Sequence, residues 1–209
     1  MKKLVYSLAS ITSLLAMLAC TLFPYTHKPP ETIIINNKKI INKPYDKAWN
    51  SVSNIFFQDI FKLESIDKAN GIIIATFKTD RASDYVDCGI VHRKYRDNEG
   101  VVHEYSYNYA DSTQYKYTKN NQTYDAKVTT DLTTEIKAKL TQMGESTKIT
   151  INVSYTLNRE VLSTSSLDNK ELPLAQEKMQ LTTSKPYKKP DFSCITNGNI
   201  ESNILDKID

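Results

Sequence analysis

The stretch KVTTDLTTEIKAKL, residues 127–140, decides how the central part of this chain folds. Apolar or threonine side chains occupy every even position, and charged side chains occupy most of the odd positions. The even positions hold Val128, Thr130, Leu132, Thr134, Ile136, Ala138 and Leu140. Because side chains alternate between the two faces of a β-strand, this pattern predicts a long strand with one buried and one solvated face.

The same period returns after a polar turn at residues 142–146. Ile149, Ile151, Val153, Tyr155 and Leu157 alternate with polar residues. Two alternating stretches joined by a short turn predict an antiparallel hairpin at the centre of a sheet. Residues 159–175 show no period and are expected to form a loop, and residues 177–183 are expected to form a last strand.

Helical spacing is found on both sides of these strands. Pro44 suits a first helical turn and Asp46 suits its dipole, and apolar residues then follow at spacings of three and four as far as Ile60. A short C-terminal helix is expected after a cap at Thr196 or Asn197. The predicted fold class is α+β, an antiparallel β-sheet with an N-terminal helix and a short C-terminal helix packed on it in a helix-grip-like arrangement.

The first twenty residues indicate export. Lys2 and Lys3 precede an uncharged apolar run over residues 4–18, and the small residue Ala19 precedes Cys20. This is the pattern of a secretory signal, and the run is shorter than the roughly 20 apolar residues of a membrane-spanning helix.

The junction resembles the lipobox of bacterial lipoproteins, with Met17, Leu18 and Ala19 before Cys20. The resemblance implies removal of residues 1–19 and lipidation of Cys20, and Thr21 after the cysteine implies sorting to the outer membrane, with the head on the periplasmic side. A plain cleaved or retained signal is the alternative. Residues 20–30 are expected to form a membrane tether, and residues 31–209 a single α+β domain.

The net charge and the number of cysteines indicate which kind of partner and which covalent bond to expect. Loss of the signal lowers the net charge from +3 to about +1, which disfavours nucleic acid as a partner. In an oxidising compartment Cys88 and Cys194 are expected to form a disulfide, the alternative being two free buried thiols.

No phosphate-binding loop, catalytic triad or metal-ligand spacing is found, so we expect neither an enzyme nor a cofactor or metal. His27, His92 and His103 are expected to face solvent, the alternative being a metal held by His92 and His103 with a third ligand such as Glu104 or Cys88.

Tyrosines are concentrated in one third of the chain. The expected partner-binding residues are Tyr105, Tyr107, Tyr109, Tyr115 and Tyr117. Tyrosine offers a large contact area at low entropic cost, which favours a docking surface for a protein or a glycan. The alternative is that these tyrosines only fill strand positions of a sheet.

The chain resembles small envelope lipoproteins of Gram-negative bacteria, an uncharacterised family with a helix-grip domain similar to those of BamC. The likeness is carried by residues 45–49, 66–73 and 85–89 and by the region around Cys194. It implies a lipid-anchored periplasmic binding or scaffold lipoprotein, with an envelope protein as partner, that acts as an accessory in an outer-membrane assembly or secretion complex. The alternative is a small hydrophobic-ligand carrier with a cavity lined by Ile72, Ile74 and Val153.

Overall fold

A computed structural model describes residues 25–57, 60–97, 99–120 and 122–208. Over these ranges 59% of the residues lie in strands and 13% in helices. The elements are β1 (Thr26–Lys28), β2 (Lys38–Ile41), α1 (Tyr45–Phe56), β3 (Lys62–Asp67), β4 (Ile72–Thr79), β5 (Val86–Asp87), β6 (Ile90–Arg96), β7 (Val102–Asn108), β8 (Thr113–Lys119), β9 (Gln122–Met143), β10 (Ser146–Ser165), β11 (Glu171–Thr182), β12 (Tyr187–Lys189), β13 (Phe192–Thr196) and α2 (Asn199–Asp206).

The hairpin of β9 and β10 is the longest feature of the fold. Its antiparallel register is unbroken from the pair Met143 and Ser146 at the turn to the pair Tyr124 and Ser165 at the far end. The even positions of β9 and the odd positions of β10 lie on one buried face over most of this length. The hairpin predicted from the period of two is therefore present.

Shorter strands extend this hairpin into a seven-stranded antiparallel sheet. β11 pairs with β10, while β4 and then β3 continue the sheet from the half of β9 nearest the turn. β8 pairs with the far half of β9, and β2 pairs with the start of β10. Two three-stranded antiparallel sheets accompany it, in the orders β1-β6-β7 and β12-β13-β5.

The apolar core lies on the half of the hairpin near its turn. Both helices contribute to it, with Trp49 of α1 and Ile204 of α2 buried in the same cluster as Ile136 and Ile151. The removal of such side chains from water is the main force holding the helices on the sheet.

A buried polar network fixes α2 in place. The Tyr155 hydroxyl donates a hydrogen bond of 2.8 Å to Glu201 Oε2, and the Thr183 hydroxyl donates one of 2.7 Å to Glu201 Oε1. Glu201 is fully buried in the first turn of α2, where the helix dipole favours a negative charge. Burial raises the pKa of Tyr155 far above its usual value, so the hydroxyl stays a donor.

The predicted disulfide is confirmed. Cys88 and Cys194 are joined with an S–S distance of 2.04 Å, and both are completely buried. The bond ties the segment before β6 to β13, which are 106 positions apart in the chain. Within the described ranges, no helix is long and apolar enough to cross a membrane.

The predicted fold class, α+β with a helix-grip-like arrangement, is wrong. The described chain is mostly β, with three antiparallel sheets instead of one. The helix expected at the N-terminus is α1, which follows β1 and β2 and so is not N-terminal. The error arises because pairing between distant short strands, such as β1 with β6, leaves no periodic signal in the sequence.

Two expected irregular segments are also strands. The loop predicted for residues 159–175 is mostly the end of β10 and the start of β11. The tether predicted for residues 20–30 is wrong for Thr26–Lys28, which pairs with β6, and residues 20–24 lie outside the described ranges. In both places polar residues fill strand positions, so the alternation of apolar and polar side chains disappears.

Candidate functional site

A cleft of about 930 Å³ is bounded by β6, β8, β10 and β11, at the half of the long hairpin away from the helices. We call it the tyrosine cleft. Its volume is within the range of ligand-binding clefts. Five tyrosines and five cationic side chains line it, namely Tyr25, Tyr95, Tyr109, Tyr115, Tyr117, Arg93, Lys94, Lys116, Lys119 and Arg159. The other lining residues include Val161, Ala175 and the single acid Glu177.

Arg159 lies in the cleft because β10 carries the period of two beyond Leu157. The inward positions continue through Arg159 to Val161, and Arg159 stands opposite Thr130 of β9 and Glu177 of β11. A guanidinium therefore occupies a position where the near half of the hairpin has an apolar side chain. Its side chain is only 4% exposed.

One donor of Arg159 is buried without a partner. Its Nη1 lies 3.6 Å from Glu177 Oε2, and its Cζ lies 4.1 Å from the centre of the Tyr109 ring. Its Nε is buried without a hydrogen-bond partner. A guanidinium has five donors, and a buried donor without a partner costs about 1–3 kcal/mol. The buried Nε therefore lowers the free energy of unfolding of the unliganded protein.

Glu177 is shared among three groups. Besides Arg159, the Tyr109 hydroxyl donates a hydrogen bond to Oε2, and Lys189 Nζ lies 4.0 Å from Oε1. Burial raises the pKa of Tyr109 well above its ordinary value, the hydrogen bond to Glu177 adds to this, and the Arg159 charge opposes it. Tyr109 therefore remains a hydrogen-bond donor. Glu177 shares its negative charge between Arg159 and Lys189 and also accepts the hydrogen bond from Tyr109.

Arg93 is the second guanidinium of the cleft. Its Cζ lies 4.8 Å from the Tyr25 ring centre and 4.5 Å from that of Tyr115, and its Nε donates a hydrogen bond of 2.9 Å to the Tyr107 hydroxyl. Among the described residues no carboxylate lies within ion-pair distance of Arg93. Aromatic faces can hold a guanidinium without neutralising it, so its charge is available to a ligand.

Three lysines complete the positive lining. Lys94 pairs with Glu104, and Lys116 Nζ lies 3.6 Å from Asp125 Oδ1. These pairs are solvent-exposed and hence weak. Lys119 has no acidic partner within ion-pair distance in the part of the chain that the structure describes. The lining therefore favours a negatively charged ligand.

The structure brings only some of the sequence-predicted tyrosines into the cleft. Tyr109, Tyr115 and Tyr117 line it, whereas Tyr105 and Tyr107 pack behind Tyr115 with ring centres 6.5 and 5.8 Å from it. Tyr115 itself is only 6% exposed. Tyr105, Tyr107 and Tyr115 thus fill packed positions, as the alternative expected, and partner binding by these tyrosines stays a prediction.

Of the residues that line the cleft, only Tyr109, Tyr115 and Tyr117 were predicted as site residues from the sequence. Tyr25 lies in the expected tether, and Arg159 and Glu177 lie in or beside the expected loop. Arg93 lies in β6, and no pattern in the sequence distinguishes it from its neighbours. The one available signal was the alternation that continues through Arg159 and Val161, which the polar residues between and after them obscure.

The histidines differ from expectation. Only His92 is exposed. His103 Nε2 lies 2.7 Å from Asp97 Oδ2, and His27 Nε2 lies 2.8 Å from the Cys88 carbonyl oxygen. Within the described residues no three His, Cys, Asp or Glu side chains cluster as metal ligands. The predicted lipidation site, Cys20, lies outside the described ranges.

Comparison with known proteins leaves the tyrosine cleft as the basis for a functional assignment. No protein-family model, no curated protein and no solved structure matches the chain. The cleft offers cations, aromatic faces and tyrosine hydroxyls, which are the groups that proteins use for negatively charged ligands.

Proposed function

We propose that this protein is a lipid-anchored binding or scaffold lipoprotein of the bacterial envelope. It is held at the outer membrane on the periplasmic side and acts as an accessory in an assembly or secretion complex. The tyrosine cleft is its binding site, and an envelope protein is its partner. The observation that carries the proposal is the cleft composition, because tyrosine and arginine dominate the energetics of protein–protein interfaces.

The position of Tyr25 supports a role at the membrane. Tyr25 lines the cleft, is 54% exposed and lies five positions after Cys20. An extended chain covers at most about 3.6 Å per residue, so a lipidated Cys20 would keep this edge of the cleft within about 18 Å of its anchor. A partner in the cleft would then be held next to the membrane.

The ligand-carrier alternative receives less support. Of the residues expected to line an apolar cavity, Val153 is buried in the packed core, whereas Ile72 and Ile74 are half-buried and Ile73 between them points into the core. The cleft lies elsewhere and is rich in cations. These positions favour a protein-binding role over the storage of a hydrophobic molecule.

Two measurements test the proposal. Metabolic labelling with a fatty acid should mark the wild-type chain and fail in Cys20→Ser, and label that persists in that variant would contradict acylation at this residue. Cross-linking and pulldown of the full chain from membranes should then lose a specific partner in the double variant Tyr25→Ser and Arg93→Gln. Arg81→Gln is the control, since Arg81 pairs with Asp84 outside the cleft lining. Equal recovery from all three proteins would refute the cleft as the partner site.

A further inference from the structure

We infer that the tyrosine cleft takes an extended acidic segment of the partner, which adds as a β-strand along the edge of β8. This rests on the proposed function, because it specifies the chemistry of the partner that the anchored protein holds. Two independent observations lead to it: an unpaired strand edge in the cleft and unfilled cationic groups below that edge.

The edge is identified by the pattern of lining residues. Residues 115–119 of β8 and Asn120 after it all line the cleft. Since successive side chains of a strand point to opposite faces, a consecutive set can line one cleft only if the strand edge faces it. Among the described strands β8 pairs only with β9, so its other edge has unpaired N–H and C=O groups. An extended peptide can pair with such an edge.

The opposite wall is formed by β6. Within the described residues β1 pairs with β6 over the three residues from Ile90 to His92. Arg93, Lys94 and Tyr95, the next three residues of β6, line the cleft consecutively. The cleft therefore lies between a segment of β6 and a segment of β8. At about 3.4 Å per residue, the six residues on the β8 side span about 20 Å. That length accommodates about six residues of an extended chain.

The charges select an acidic segment. In a bound strand every second side chain, about 6.8 Å apart, points to the same face. A carboxylate on that face can approach the guanidinium of Arg159 from the cleft, where Nη1 lies 3.6 Å from Glu177 Oε2, longer than a hydrogen bond. Charge-assisted bonds between arginine and carboxylate are short and strong, and Arg93 offers a second one.

The depth of Arg159 favours a peptide over a membrane surface. With a side-chain exposure of 4%, its guanidinium can be reached only by a narrow group that enters the cleft. A lipid bilayer contacts protruding lysines and arginines instead. The tyrosine rings on both sides of the cleft suit the flanks of an extended peptide.

Peptide binding to the full chain in a neutral detergent provides the test. The probe is a fluorescein-labelled peptide of four Thr-Glu repeats, measured by fluorescence anisotropy. Its counterpart of four Thr-Gln repeats has the same strand propensity without charge, and a third peptide carries N-methyl groups on alternate backbone nitrogens. We expect the acidic peptide to bind at least tenfold more tightly than either counterpart, with affinity that falls as salt is added.

Variants locate the site. Arg159→Gln and Arg93→Gln should each weaken binding at least tenfold, whereas Arg81→Gln should leave it unchanged. Circular dichroism and urea unfolding establish that each variant is folded. If Arg159→Gln does not fold, Arg93→Gln by itself is sufficient to test the site. Arg93 forms no ion pair with a described carboxylate, so its replacement leaves no carboxylate without a partner.

Several results would overturn the inference. Equal affinity for the Thr-Gln peptide would remove the acidic requirement, and full binding of the N-methylated peptide would remove strand addition. Displacement of the peptide by phosphatidylglycerol vesicles, with vesicle binding lost in Arg93→Gln, would assign the cleft to a lipid surface. Peptide binding in solution does not depend on the anchor, so its failure in a chain that carries lipid label refutes this inference and leaves the anchor intact.

Discussion

Replacing Arg159 by methionine should leave the free energy of unfolding nearly unchanged in the absence of a ligand. Methionine is unbranched, extends about as far as Nε of the arginine and packs well against an aromatic ring. It also removes the buried Nε that has no partner. For a residue at the centre of a structural ion pair, the same change would be strongly destabilising.

The magnitude follows from the contacts of Arg159. The substitution removes a cation–π contact worth about 0.5–2 kcal/mol and a loose 3.6 Å ion pair. It relieves an unpaired donor that costs about 1–3 kcal/mol. Glu177 is not stranded, because it keeps the Tyr109 hydrogen bond and its side chain is 28% exposed. The expected net change lies within about 1 kcal/mol of zero, against about 3–5 kcal/mol for breaking a fully buried pair.

Urea unfolding of the purified chain at neutral pH measures this difference through the midpoint and the m-value. Leu157→Ala is the matched control, since Leu157 is completely buried two positions earlier on the same face of β10. It should lose about 2–5 kcal/mol. If Arg159→Met loses as much as Leu157→Ala, Arg159 is a structural residue, and the case for a binding role in the cleft fails.

Three further changes probe the fold. The double variant Cys88→Ala and Cys194→Ala should lose about 2–5 kcal/mol in urea unfolding, because the bond joins residues 106 positions apart, and reduced wild-type protein should match it. Glu201→Leu, which leaves the buried Tyr155 hydroxyl without its acceptor and removes one acceptor of the Thr183 hydroxyl, should lower the melting temperature much more than Glu201→Gln. Gly71→Ala should be clearly more destabilising than Gly100→Ala in the same thermal assay. Both glycines have a positive φ, so both substitutions strain the backbone. A Cβ at Gly71 would in addition collide with a backbone carbonyl oxygen of β9, whereas a Cβ at Gly100 would meet open space. Equal losses at the two glycines would contradict this.

The parts of the fold that were predictable are those in which burial repeats along the chain. The hairpin of β9 and β10 leaves an apolar side chain at almost every second residue because its inner face is covered. The helices α1 and α2 leave spacings of three and four for the same reason. The disulfide followed from the number of cysteines and the expected compartment, a different kind of argument.

The remaining parts depend on pairings between distant segments. β4 and β8 share the two halves of β9, and nothing in their sequences indicates which half each one joins. The cleft was not predicted for a related reason. Arg159, which lies at its floor, occupies an inward position of β10, and a polar residue at an inward position interrupts the alternation that predicts a strand. Tyr25 belongs to a segment whose prolines indicated a tether.

The two halves of the hairpin differ in a way that packing alone does not explain. Near the turn the inner face is mostly apolar, with Thr134 and Thr147 as its buried polar residues, whereas the far half buries a charged residue, Arg159, beside Val128 and Val161. Native proteins are stable by only about 5–15 kcal/mol, so polar atoms on an inner face are retained only where the rest of the fold compensates. The apolar half and the disulfide provide that compensation, which leaves the far half free to carry an incompletely bonded arginine. The proposed binding of a carboxylate in the open cleft gives a physical reason for keeping a charged residue on this inner face.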